Sequence, residues 1–192
     1  MKKRLAIAGV IAAVLALCAL GTLAYFTAEG RATNVITTGT VKLALTEEGE
    51  GTPLENGSGM VFRGVMPGQV VSKQPIVTNT GTGSFYARVK VDIAIQPAPE
   101  QGETQLSSAL VQPGMDAEHW VDGGDGWFYY NGTVEPGASV SPFGTVTFAP
   151  EMGNEYQNCT VTLSIQAQAV QVKNNPIPAG GTVLDVQGWP AA

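Results

Sequence analysis

From residue 41 onward the chain is written largely in twos. Val41, Leu43 and Leu45 alternate with Lys42 and Ala44. Phe85, Ala87, Val89, Val91, Ile93 and Ile95 alternate with Tyr86, Arg88, Lys90, Asp92 and Ala94. Val161, Leu163, Ile165, Ala167 and Ala169 alternate with Thr162, Ser164, Gln166 and Gln168. A period of two sends successive side chains to opposite faces of a strand, so each run predicts a half-buried β-strand. The run 85–95 is the clearest, an apolar face carried over about 36 Å of extended chain. Shorter strands are predicted at 61–65, 70–79, 119–121, 127–130 and 143–148. The one helical signal is a single turn within 106–111.

Turn chemistry separates these runs. Met66-Pro67-Gly68-Gln69 and Glu135-Pro136-Gly137 place Pro before Gly. That order suits the central positions of a type II turn, where Pro presets φ and Gly takes φ > 0. Asn131-Gly132 predicts a tight hairpin. Residues 47–59, 96–114 and 150–157 read as loops, and 174–192 as a Pro/Gly-rich tail. About eight short strands with turns at near-regular spacing predict an all-β sandwich or barrel. Composition does not separate a jelly roll from an immunoglobulin-like sandwich.

The first 40 residues follow other rules. Met1-Lys2-Lys3-Arg4 is a positive start, residues 5–20 are apolar, and Thr22-Leu23-Ala24 brings small residues. This is the layout of a signal-peptide helix cut after Ala24, or alternatively after Tyr25. The competing reading is an uncleaved membrane anchor, since the apolar run is near the lower limit of about 17 residues for a span. Cys18 follows Leu17, where a lipoprotein signal needs a small residue. Residues 25–40 have no clean period, but Ala32, Thr33, Asn34, Val35, Ile36, Thr37 and Thr38 are β-prone. They read either as a frayed terminus or as a strand donated to a neighbouring subunit. The organisation expected is 1–24 signal peptide, 25–40 N-terminal segment, 41–173 sandwich and 174–192 tail.

Charge narrows the partners. The chain has 10 basic and 16 acidic residues, net −6. Loss of Lys2, Lys3 and Arg4 with the leader leaves 7 basic residues and net −9. A nucleic-acid binder needs clustered Lys and Arg, so none is expected as a partner. The membrane enters only through an uncleaved leader.

Chemistry is sparse. Beyond Cys18 the only cysteine is Cys159, read as a buried core thiol, and His119 is the only histidine. A zinc protease needs closely spaced ligands and a general base, which these two residues in different strands do not supply. No cofactor is expected. Asp116, Glu118, Asp122 and Asp125 surround a Gly-Gly turn. They read as a solvated acidic loop, and as weak calcium ligands because oxygen donors suit Ca²⁺. Trp127, Phe128, Tyr129 and Tyr130 offer either core and surface aromatics or a sugar platform.

One resemblance orders these features. The junction Gly21-Thr22-Leu23-Ala24-Tyr25-Phe26-Thr27-Ala28-Glu29-Gly30, the following 32–43 run, the Pro67-Gly68 turn with its strand and Asn79-x-Gly81, and the stretch from Asp125 to Val172 resemble the TasA/camelysin family of SipW-dependent-type exported proteins. Gln69 stands where the family usually has an acid. The resemblance implies a jelly-roll-like β-sandwich exported by a Gram-positive bacterium and processed by a SipW-like signal peptidase. It further implies a secreted or cell-surface fibre subunit of the biofilm matrix. Such a subunit would partner copies of itself, and other matrix proteins, by N-terminal strand donation. A monomeric adhesin or carbohydrate-binding sandwich is the alternative, and a camelysin-like metalloprotease the enzyme alternative.

Overall fold

The computed structural model describes residues 27–30, 41–55, 59–102 and 105–190. The signal-peptide helix, its junction at Ala24 and Tyr25, and the segment 32–38 lie outside the described residues. Among the described residues no helix is long and apolar enough to cross a membrane.

The protein is an all-β sandwich. Its strands are β1 Thr27–Gly30, β2 Leu43–Gly49, β3 Thr52–Pro53, β4 Gly59–Arg63, β5 Val70–Asn79 and β6 Phe85–Gln96. They continue as β7 Val111–Met115, β8 Trp120–Asp122, β9 Phe128–Tyr130, β10 Ser139–Val140, β11 Phe143–Phe148 and β12 Thr160–Gln171. Sheet I runs β3-β4-β12-β6-β9-β8, with β1 also on β12; sheet II runs β10-β5-β11-β7, with β2 also on β5. From β4 to β7 each strand lies in the sheet opposite its predecessor, giving β4-β12-β6-β9 facing β5-β11-β7. Every pairing is antiparallel. This crossing order is that of a jelly roll.

The alternation read from the sequence supplies the inner faces. Phe85, Ala87 and Val89 from β6 meet Val161, Leu163 and Ile165 from β12 in one buried cluster, and sheet II adds Val71, Val77 and Val146. Phe62 and Phe148 bridge the two sheets edge to face, ring centroids 6.1 Å apart. Burial of each large side chain of this kind is worth about 1.5–3 kcal/mol. The central pair is β6 with β12, in unbroken register from Thr160↔Gln96 to Gln171↔Phe85.

Both Pro-Gly turns form. Gln69 N–H donates to Met66 C=O at 3.0 Å around Gly68 at φ 78°, and Ala138 N–H to Glu135 C=O at 2.9 Å around Gly137 at φ 81°. Asn79, fully buried, anchors the next corner: its Oδ1 accepts from Gly81 N–H, and its Nδ2 donates to the Gly83 and Val134 carbonyls.

Three expectations need correction. The stretch 96–114 is not all loop, because Val111–Met115 pairs with β11 across a register shift. Pro113 and Gly114 hid that strand, and Pro is tolerated there because β7 is a sheet edge. Asn131-Gly132 does not close a hairpin. Asn131 N–H donates to His119 C=O, and the chain leaves for β10 in sheet II. The stretch 47–59 is not all loop either, because β2 runs on to Gly49 and Thr52–Pro53 pairs with β4. The Pro/Gly-rich tail packs back on the sandwich. Val183 and Val186 are buried with Tyr86, Trp127, Tyr129 and Val170 in a second cluster on the outer face of sheet I. Thr182 and Asp185 form a capping box that sets the short 3₁₀ turn Val183–Asp185 in place.

Candidate functional site

Strand β12 is longer than any single neighbour on its far edge. On one side β6 pairs with its whole length. On the other side β4 pairs only with Thr160 to Ser164. The remaining edge is taken by β1, with Thr27↔Val170, Ala28↔Ala169, Glu29↔Gln168 and Gly30↔Ala167. A four-residue strand from the chain's N-terminal segment therefore occupies one backbone slot in the sheet, next to the place where β4 ends. A backbone edge of this kind accepts any strand of compatible register, because the ladder bonds are independent of side chains.

The rungs of the slot are built from both faces. Ala167 and Ala169 point into the sandwich and are fully buried. Gln168 and Val170 point the other way and are also buried, Val170 against Val183 and Val186 of the C-terminal segment and Gln168 against Arg88. By contrast Thr160, Thr162 and Ser164, on the half of β12 served by β4, are only half-buried.

Arg88 ties the outer face together. Its Nε and Nη2 donate to Gln168 Oε1 at 2.9 and 2.6 Å, and Nη1 donates to the Tyr129 hydroxyl at 3.0 Å. Its guanidinium carbon lies 4.3 Å from the Trp127 ring and 4.8 Å from the Trp189 ring. An arginine flanked by aromatic faces in a dry setting is held by about 2 kcal/mol of cation–π attraction. Asp125 Oδ2, 4.0 Å from Arg88, accepts from the Tyr129 hydroxyl at 2.8 Å. Burial tends to raise the Asp125 pKa, but hydrogen bonds from Tyr129 and Trp127 and the Arg88 charge bring it below the usual carboxylate value. Burial, then the bond to Asp125, raises the Tyr129 hydroxyl.

Three carboxylates of the acidic loop accept hydrogen bonds within their own turns. Asp116 Oδ1 accepts from the Glu118 and His119 amides, and its Oδ2 meets His119 Nδ1 at 2.8 Å. His119 is the main reason the Asp116 carboxyl sits below its ordinary pKa. Asp122 accepts from Gly124 N–H, and Asp125 Oδ1 from Trp127 N–H. Each of these three carboxylates tightens the turn it stands in. Among the described residues no group of three or more His, Cys, Asp or Glu is placed to hold a metal ion. Of the four carboxylates read as weak calcium ligands, Asp116, Asp122 and Asp125 each accept from an amide of their own turn, and Glu118 contributes its backbone N–H to Asp116. Cys159 lies in the main core with its thiol pKa raised by burial, while the His119 side chain is 55% exposed.

The four aromatics divide between two interiors. Phe128 and Tyr130 pack on the main core, and Trp127 and Tyr129 are buried in the outer cluster.

Sequence reasoning named 32–38 as the strand to be donated and left the acceptor undefined. Strand β1 lies within the 25–40 segment read as a candidate donor strand, ahead of 32–38; the missed residues are the 167–170 edge, Arg88 and Trp189. Two signals pointed to them. Beyond Ala169 the polar-apolar alternation of β12 breaks at Val170, and the tail spaces Val183, Val186 and Trp189 by three. Comparison with protein-family models, with curated proteins and with solved structures finds no match.

Proposed function

We propose that the protein is an exported structural subunit that assembles by strand exchange at the half of the β12 edge that β1 occupies. The single observation that carries this reading is the pairing of Thr27–Gly30 with residues 167–170 of β12. The strand lies a few residues beyond the expected cut at Ala24 or Tyr25, so processing would free it at its N-terminal end. The resemblance of that junction to TasA/camelysin proteins, noted above, supports the same reading.

Within one copy the strand closes its own sheet. Between copies the same slot takes the N-terminal segment of the next subunit, with Thr27–Gly30 on the β12 ladder; β4 holds the edge beyond Ser164, so 32–38 would make its contact with the receiving copy off that ladder. Exchange of an identical element is a low-cost route to association, because the contacts made in trans repeat those made in cis. Run head to tail it does not close, and the product is a fibre. Secretion, leader removal by a SipW-like peptidase and a place in an extracellular matrix complete the proposal.

The test is Val35→Pro in the mature chain. Proline removes a ladder donor and is excluded from paired strands. Negative-stain microscopy should show fibres for the wild type and none for the variant, while the variant's circular dichroism stays that of the folded sandwich. Polymerisation of the variant at the wild-type rate would end the donor role of 32–38.

A further inference from the structure

The last residues of the chain cover the outer face of sheet I beside the strand slot. Gln168 and Val170 are the rungs whose register partners are Glu29 and Thr27. Val183 and Val186 join Val170 in its cluster. Gln168 is fixed by two hydrogen bonds from Arg88, and Arg88 is fixed between the indoles of Trp127 and Trp189. The Pro190 carbonyl accepts from the same guanidinium at 3.4 Å. Without Trp189 one wall of this slot for the guanidinium is gone, and Arg88 can swing toward Asp125, 4.0 Å away.

Two features distinguish this from simple tail packing. The segment is organised to present one ring: the Thr182–Asp185 capping box sets its turn, and Trp189 Nε1–H donates to Val186 C=O at 2.9 Å. Its cover is also selective. Gln168, Val170 and Gln171 are buried, whereas Thr162 and Ser164, on the half of β12 that β4 serves, stay half-open.

We propose that residues 174–190 form the second half of the strand-binding site, a clamp that holds Arg88, and through it Gln168, in the geometry that retains an extended strand along 167–170. The ligand class is an extended peptide of small and polar residues, the N-terminal segment of this chain from its own copy or another. This rests on the strand-docking reading above. Arg88, Gln168 and Trp189 are positioning residues, and the bound strand is held by the ladder they steady.

Hydrogen exchange on the dilute, monodisperse mature chain tests the clamp. Trp189→Ala and Arg88→Lys should each speed exchange of the peptide covering Thr27–Gly30 by about tenfold or more, while the peptide from Val70–Asn79 keeps its wild-type protection. Trp189→Phe keeps a ring over the guanidinium and should restore most of the lost protection. Should Trp189→Ala fail to fold, the Arg88→Lys and Trp189→Phe pair decides alone. Wild-type exchange at Thr27–Gly30 in the folded variants overturns the proposal. So does acceleration only in step with Val70–Asn79, or a wild-type chain with no protection at Thr27–Gly30. A wild type that is protected there yet never forms fibres sinks the assembly reading and leaves the clamp standing.

Discussion

Lys73 is fully buried on the inner face of β5, between Val71 and Val77 in the alternation, and its Nζ meets Glu47 Oε1 at 2.9 Å. Burial pushes the Glu47 pKa up and the Lys73 pKa down, and the hydrogen bond between them opposes both shifts. A buried pair of this kind is costly to break and cheap to replace. Glu47→Ala should therefore destabilise the fold by about 3–5 kcal/mol, because it strands a buried ammonium. Lys73→Met with Glu47→Leu should be neutral or stabilising, and urea unfolding midpoints read both. Asp125 provides a pH handle. Its folded-state pKa lies below the ordinary 3.8, so its contribution is complete above that value and is lost as pH falls through the folded pKa. Asp125→Asn should flatten the loss of thermal stability below about pH 4 and leave neutral pH less affected.

At the scale of elements, the Pro-Gly turns show what a sequence can say reliably. Pro fixes one torsion and Gly permits the next, so the geometry is local and survives any tertiary context. At Gly137, φ is 81° and an added Cβ would meet nothing within 4 Å. Gly137→Ala should thus cost about 1–2 kcal/mol through backbone conformation alone, measurable as a lowered melting temperature with unchanged spectra. Strands β6 and β12 were equally legible, since their period of two is written over most of their length. Strand β7 was not, because its Pro113 and Gly114 argue against a strand until β11 pairs with it. Asn131-Gly132 misled in the opposite sense. Gly132 is not among the positive-φ glycines, so the tight-turn torsions the dipeptide favours are not used. The docking edge was invisible for a third reason: an acceptor is defined by where a neighbouring strand stops, and the end of β4 against β12 is a tertiary fact.

On the scale of the molecule, the N-terminal strand and the C-terminal clamp converge on one end of β12, one at its edge and the other across its outer face. The central claim is that the edge can be filled in trans as well as in cis. Disulfide trapping tests this directly, because Ala28 and Ala169 are register partners and directly opposed strand residues lie about 4.5–5.5 Å apart, within reach of a disulfide. In a Cys159→Ser background, mature chains carrying only Ala28→Cys would be mixed with chains carrying only Ala169→Cys and oxidised under assembly conditions. The account predicts covalent dimers containing one chain of each kind, joined through residues 28 and 169 by peptide mapping. A mixture that stays monomeric, while a single chain carrying both cysteines closes its own disulfide in full, would contradict it.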